Sequence, residues 1–316
     1  MAGRLPVDPS VRNPVERGVP LSWARLLRDF AIAAGAAVAI TFVAYWALNG
    51  LGNPYDLQAY YNVNLADPFR QQDIGPGAFL YTPPFALFAA VIHLLPFALV
   101  VTAWRLGQTA SLLLLAGPFA VIAIFTYPVA SELNLGNVNL FIALAVVVGF
   151  RWPAVWSFVL ITKPSCGVGL LWFAVRRDWQ ALRTALAVTA GFVAVSLVLI
   201  PGAWAGYFDL LLHPAPTLDG MPVLWLRLPV AVAVVVVGAL RNWRPAVVIA
   251  VWLGLPIWHP VSPSILVGVA AFFWQGPLVS TAAKTGEAGR PWRSSDFSRF
   301  RRRNSSPPPP TPTQPS

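Results

Sequence analysis

From residue 30 to residue 274 the chain is a succession of apolar runs, each closed by a few polar residues or by proline. The runs fall at about 30–48, 79–95, 97–116, 118–130, 138–150, 153–175, 180–200, 222–240, 245–258 and 262–274. A bilayer core of about 30 Å is crossed by roughly 20 apolar residues of helix, so most of these runs predict membrane-crossing helices. Composition supports this. Of 316 residues 57% are hydrophobic and only 11% charged, whereas soluble domains average about 45–50% apolar and 25% charged. Too little polar surface remains to cover a water-facing shell. A soluble enzyme, a disordered chain and a nucleic-acid module are excluded together, and an all-α polytopic membrane protein is expected.

The net charge of +10, from 22 basic and 12 acidic residues, is concentrated at the two ends. Five arginines precede residue 30 and seven basic residues follow residue 274. This is the pattern of the positive-inside rule rather than of a nucleic-acid patch. Residues 1–29 are read as a cytoplasmic basic segment, 30–275 as the membrane domain, and 276–316 as a disordered, basic, Pro-rich cytoplasmic tail. In that tail Arg299, Arg301, Arg302 and Arg303 stand beside anionic headgroups. The run 30–48 exceeds a signal-peptide core and no small-residue cleavage site follows, which predicts an uncleaved first helix. Residues 49–78 hold Asp56, Asp67 and Asp73 against a single Arg70, and residues 201–221 hold Asp209, His213 and Asp219 with no basic residue. Both stretches are expected outside, with both termini cytoplasmic. Arg176, Arg177, Arg241 and Arg244 then fall inside, and Arg151 is the one misfit. About eight to ten crossings are expected. The runs 118–130 and 138–150 are short for a full crossing and read as tilted or half-helices, which at membrane depth line cavities.

No Walker loop, HExxH, GxSxG or CxxC is present. Cys166 has no intrachain partner, and His93, His213 and His259 lie in different loops or helix ends, so no metal site is expected. Glu132 is the only carboxylate near a helix end in the middle of the chain, which leaves few parts for a transporter's ionisable relay. Two readings of Asp56 stand side by side. In Asn53-Pro54-Tyr55-Asp56-Leu57, Asn53 suits an N-cap, Pro54 the first helical position, and Asp56 the acid of a first turn. Alternatively Asp56, with Tyr60 and Tyr61 one turn on, is a boundary carboxylate suited to taking a proton from a sugar hydroxyl. Tyr81-Thr82-Pro83-Pro84 opens the next helix, where two prolines are tolerated because the first amides have no intrahelical partner. In Gly136-Asn137-Val138-Asn139 the two asparagines either cap a helix or bind a sugar. Lys163 lies within an apolar run, where a cation costs about 2.5–3.5 kcal/mol. It needs a carbonyl near the Pro164 kink or a lipid phosphate, and Arg105 needs the same explanation.

Taken in order, the acidic loop after the first helix, Tyr81-Thr82-Pro83-Pro84, the Leu95-Pro96 break, the Gly136-Asn137-Val138-Asn139 box and Lys163 resemble glycosyltransferase family 87. Members are membrane-embedded enzymes of GT-C type, related to polyprenol-phosphate-mannose-dependent mannosyltransferases. The resemblance covers roughly residues 30–275. It departs from the family pattern at Gly136-Asn137, where Gly-Gln is usual, and at Lys163-Pro164, which lacks a spacer. Trp258-His259-Pro260-Val261-Ser262-Pro263 keeps only part of a later outer motif.

The resemblance implies a GT-C-like helical bundle in the plasma membrane. Its donor would be a polyprenyl-phosphate hexose, most simply mannose, with a membrane lipid or glycan as acceptor. It implies inverting transfer at the outer face, Asp56 as general base, and Tyr60, Tyr81, Arg105, Asn137, Asn139 and Lys163 as substrate contacts. No cofactor other than the donor substrate and no metal are implied. The rival expectation is a non-catalytic polytopic protein, either a lipid-linked sugar flippase or a degenerate family member.

Overall fold

The computed structural model describes residues 27–37, 40, 52, 54–69, 78–212 and 223–274. The basic N-terminal segment up to residue 26, most of the first apolar run, Asn53, Arg70, Asp73, His213, Asp219 and the basic tail lie outside the described residues. Among the described residues every regular element is helical, as the apolar runs predict. Residues 27–37 form α1. Then come α2 (Tyr55–Tyr61), α3 (Pro83–Ile92), α4 (Phe97–Ala116), α5 (Ala120–Ala123), α6 (Tyr127–Leu135) and α7 (Asn139–Val148). The remainder are α8 (Trp156–Thr162), α9 (Leu171–Val175), α10 (Trp179–Leu199), α11 (Pro201–Leu212), α12 (Leu224–Leu240), α13 (Pro245–Leu253) and α14 (Val267–Phe273).

Uninterrupted crossings are fewer than the apolar runs. Among the described residues, Phe97–Ala123 and Trp179–Leu199 are each long and apolar enough to cross a bilayer alone. The first of these joins α4 to α5 through a 3-10 turn at Gly117–Phe119. Pro118 opens that turn, where its missing N–H leaves no bond unmade. The break therefore falls after Ala123, and the run expected at 118–130 is divided between this span and α6. Helices α6 and α7 together are also apolar and long enough, but they meet at 105°. The run expected at 153–175 is likewise interrupted. Helix α8 ends at Thr162, and a 3-10 stretch resumes at Pro164–Leu170. The cause is Pro164, which disfavours helical backbone at the residue before it; Lys163 accordingly sits at φ −137°, ψ 85°.

Helix α7 is the centre of the bundle. Leu140, Ile142, Ala143 and Val146 on it are fully buried and pack among α4, α8, α13 and α14. Helices α12 and α13 form a close hairpin, turned by Asn242 in left-handed backbone at φ 54°. There Gly238 lets the chains approach until an added Cβ would stand 2.2 Å from the Ala246 Cβ. Outward-facing apolar side chains cover α10, with Phe192, Val195, Val198 and Leu199 exposed. A helix of this length with an uncovered apolar face is made for lipid.

Candidate active site

The two breaks in the helical spans face each other. The corner between α6 and α7 is Gly136-Asn137-Val138, with Gly136 in left-handed backbone at φ 73° as the C-cap of α6. Glycine is the residue that enters this conformation without a Cβ penalty. Space demands it as well, since an added Cβ would stand 2.8 Å from the Cβ of Leu57 on α2. Gly136 thus lets α2 lie directly on the corner, which brings Asp56 to Asn137. Gly136→Ala should lower thermal stability by roughly 1–2 kcal/mol from the backbone cost alone and reduce activity by displacing α2. Thermal unfolding of the detergent-solubilised protein checks this, and an unchanged midpoint would show that α2 does not rest on Gly136.

Asp56 stands in the first turn of α2, as the spacing predicts, but the helix begins one residue later than expected. Pro54 occupies the cap position and makes no side-chain cap bond. The Asp56 carboxylate accepts from Asn137 Nδ2 at 2.7 Å. The Asn137 Oδ1 accepts from the amide of Val138 at 2.7 Å. Two residues on, Asn139 Oδ1 accepts from Lys163 Nζ at 2.8 Å, while Asn139 Nδ2 donates to Glu132 Oε2 at 3.1 Å. The partner that the buried cation needs is therefore a side-chain amide, contributed by the neighbouring break. Asp56 and Lys163 are partly exposed, whereas Asn139 and Glu132 are buried. A carboxylate and an ammonium are thus both held by a single corner, one through Asn137 and the other through Asn139.

Aromatic rings pack beside this corner. The Tyr60 and Tyr81 hydroxyls are 2.6 Å apart, their rings meet edge to face at 5.0 Å, and Lys163 Nζ stands 5.8 Å from the Tyr81 ring centroid. Thr82, beside Tyr81, donates its hydroxyl to the carbonyl of Ile161 at the end of α8, which ties the Pro83-Pro84 helix start to the Lys163 break. Burial holds the Asp56 carboxyl above its ordinary value. The bond from Asn137 and the positive charges of Lys163 and His259 oppose that shift. Burial lowers His259 below the usual histidine value, against the pull of Asp56 and with the push of Lys163.

Six of the seven residues singled out in the sequence meet here: Asp56, Tyr60, Tyr81, Asn137, Asn139 and Lys163. Arg105 occupies the frame beneath them. Its Nε and Nη2 donate to the carbonyls of Leu133 and Asn134, each at 3.3 Å, where a cation suits the C-terminal end of α6. Four further residues belong to the site and were not among those singled out. Gln108 Nε2 donates to the carbonyls of Glu132 and Asn137 at 3.1 and 2.7 Å and clamps the corner. Ser264 Oγ donates to Glu132 at 3.1 Å, and His259 lies close enough to couple to Asp56. Glu132 itself carried a signal, as the one carboxylate near a helix end in the middle of the chain. Gln108 and Ser264 carry none in the sequence, because uncharged polar residues are common within helices.

The helical bundle thus gathers a carboxylate, an ammonium, side-chain amides and phenols about one corner between its helices. The family model of glycosyltransferase family 87 matches residues 79–281, and the chain belongs to this family. Asp56 and α2 precede the matched stretch. The chain is also similar to a polyprenol-phosphate-mannose-dependent alpha-(1-2)-phosphatidylinositol pentamannoside mannosyltransferase of Mycolicibacterium smegmatis. The two are 26% identical over 214 residues, which cover 61% of this chain and 51% of that relative. The chain thus spans about half the length of the curated relative it matches. No solved structure matches.

Proposed function

We propose that the chain is a membrane glycosyltransferase that moves a hexose, mannose, from a polyprenyl-phosphate donor to a hydroxyl of a lipid or glycan acceptor. The observation that carries this reading is the corner itself. Through Asn137 it holds Asp56, and through Asn139 it holds Lys163, so one corner carries both a carboxylate suited to act as base and a cation suited to a phosphate. In the reaction Asp56 accepts the proton of the acceptor hydroxyl. That oxygen attacks the anomeric carbon as the bond from this carbon to the phosphate oxygen breaks, with inversion. The electron pair leaves with the polyprenyl phosphate, whose growing negative charge Lys163 stabilises. Tyr60 and Tyr81 wall the sugar site, and Arg105 supports the corner from behind.

A lipid donor suits the surroundings. A cavity of 530 Å³ with an apolar lining that includes Phe88, Ile92, Leu144 and Phe158 reaches Trp104 and Phe141. The Trp104 ring in turn lies 5.7 Å from that of Tyr60. An isoprenoid tail fits such a wall, with its phosphate toward Lys163. The relative's dependence on polyprenol-phosphate-mannose agrees with that class of donor. In the membrane this reading keeps the acidic loop with Asp56 at the outer face and both termini in the cytoplasm.

The test is incubation of the purified protein in proteoliposomes with labelled polyprenyl-phosphate mannose, polyprenyl-phosphate glucose and a panel of lipid acceptors. Label should pass from mannosyl donor to acceptor with release of polyprenyl phosphate. Movement of intact donor between leaflets without transfer would replace this reading with that of a flippase.

A further inference from the structure

The two asparagines of the corner present opposite ends of their carboxamides, and each orientation has its own cause. Asn137 Oδ1 is occupied by the Val138 amide at 2.7 Å, which leaves its Nδ2 for the Asp56 carboxylate. Asn139 Nδ2 is occupied by Glu132 at 3.1 Å, which leaves its Oδ1 for the Lys163 ammonium at 2.8 Å. Glu132 has no solvent-exposed surface. Three donors converge on its two oxygens: the side-chain amide of Asn139, the backbone amide of Leu140 at 3.2 Å, and the Ser264 hydroxyl at 3.1 Å. It therefore meets Asn139 as an acceptor, and a carboxamide facing an acceptor must offer its NH2.

We propose that Glu132 is a positioning residue for the donor: by fixing the orientation of Asn139 it presents a carboxamide oxygen to Lys163 and holds the ammonium where the donor phosphate docks. The role rests on the glycosyl-transfer reading, because it assigns Lys163 to that phosphate. A glutamine at 132 keeps the size but carries both a donor and an acceptor. Asn139 then loses its reason to keep one orientation. With its NH2 turned toward Lys163, donor faces donor, and the ammonium leaves its place. Lys163 is unbranched and rotatable, so it depends on such a contact more than a planar guanidinium does.

The experiment compares wild-type protein, Glu132→Gln and Asn139→Leu in steady-state transfer with polyprenyl-phosphate mannose, alongside their thermal unfolding. Glu132→Gln should raise the donor KM about tenfold or more, the scale of a lost charge-assisted hydrogen bond, and lower kcat as well, because the displaced ammonium no longer meets the charge growing on the leaving phosphate. Asn139→Leu should raise the donor KM likewise, since the effect travels through Asn139, and this variant answers the question if Glu132→Gln does not fold. A purely structural Glu132 gives a different pattern. A smaller folded fraction lowers apparent kcat and the unfolding midpoint while the donor KM stays unchanged, and that result overturns the proposal. Wild-type donor affinity in Asn139→Leu overturns it too. An absence of transfer by wild-type protein defeats the glycosyl-transfer reading and this role with it. Wild-type transfer with an unaltered KM in both variants removes only the role of Glu132.

Discussion

Replacing Asp56 with Asn should lower turnover by roughly 10²–10⁴-fold, the usual contribution of a general base, while the protein still inserts and binds donor. The substitution is conservative in structure, because an asparagine at 56 still offers a carbonyl oxygen to the Nδ2 of Asn137, 2.7 Å from the carboxylate in the wild type. What it removes is the capacity to accept a proton. The competing view makes Asp56 only the acid in the first turn of α2. That role is worth about 0.3–1 kcal/mol of local stability and nothing in turnover, so the two views differ by orders of magnitude in one assay. Asp67 lies in the same acidic stretch, and Asp67→Asn should keep most of the activity. The pH profile carries the same signature. A base works only when deprotonated, so kcat/KM falls as pH drops through the Asp56 pKa. Because burial raises that pKa, the acid limb should lie above the ordinary carboxylate range.

Lys163→Met should raise the donor KM by about 10- to 100-fold, the scale of a hydrogen bond to a charged phosphate. Methionine is unbranched and apolar, so the chain should tolerate it at this position within the bundle. Lys163→Arg should recover affinity only in part, since a planar guanidinium does not replace a compact ammonium against Asn139. Lys163→Met should also shift the pH profile, because the two charges are coupled. Lys163 lowers the Asp56 pKa, so its loss lets that pKa rise and moves the acid limb of kcat/KM further toward neutral pH. Donor titrations at two pH values measure both. Unchanged donor affinity in Lys163→Met would leave Lys163 as a satisfied buried cation with no ligand role.

Punctuation of the helices was legible in the sequence only in part. Pro83-Pro84 opens α3 as expected; Gly136, expected only beside a helix start, closes α6, and at Lys163-Pro164, where a kink was expected, the span breaks because pre-proline backbone leaves the helical region. The 105° angle between α6 and α7 was legible only as two runs too short to cross. Its origin is tertiary: Leu57 rests on Gly136, and Gln108 clamps two carbonyls across the corner. Neither contact leaves a trace in local spacing. The same holds for partners. Asp56 stood out as an acid just after the first helix and Lys163 as a cation within an apolar run, yet the asparagines that hold them were open between capping and sugar binding. In the structure both asparagines bond to charged side chains, one of them 81 residues away in sequence. Glu132 was visible as a lone mid-chain carboxylate, but two of its three donors come from the start of α7 across the corner and the third from Ser264, 132 residues away, and only the fold joins them.

As general base, Asp56 would act in the transfer step itself, after the donor is bound. Single-turnover kinetics isolate that step: wild-type and Asp56→Asn protein are saturated with labelled polyprenyl-phosphate mannose, then mixed rapidly with acceptor. Equal donor occupancy before mixing, followed by transfer slower by roughly 10²–10⁴-fold in Asp56→Asn, is the predicted result. Equal occupancy with transfer at the wild-type rate would contradict it.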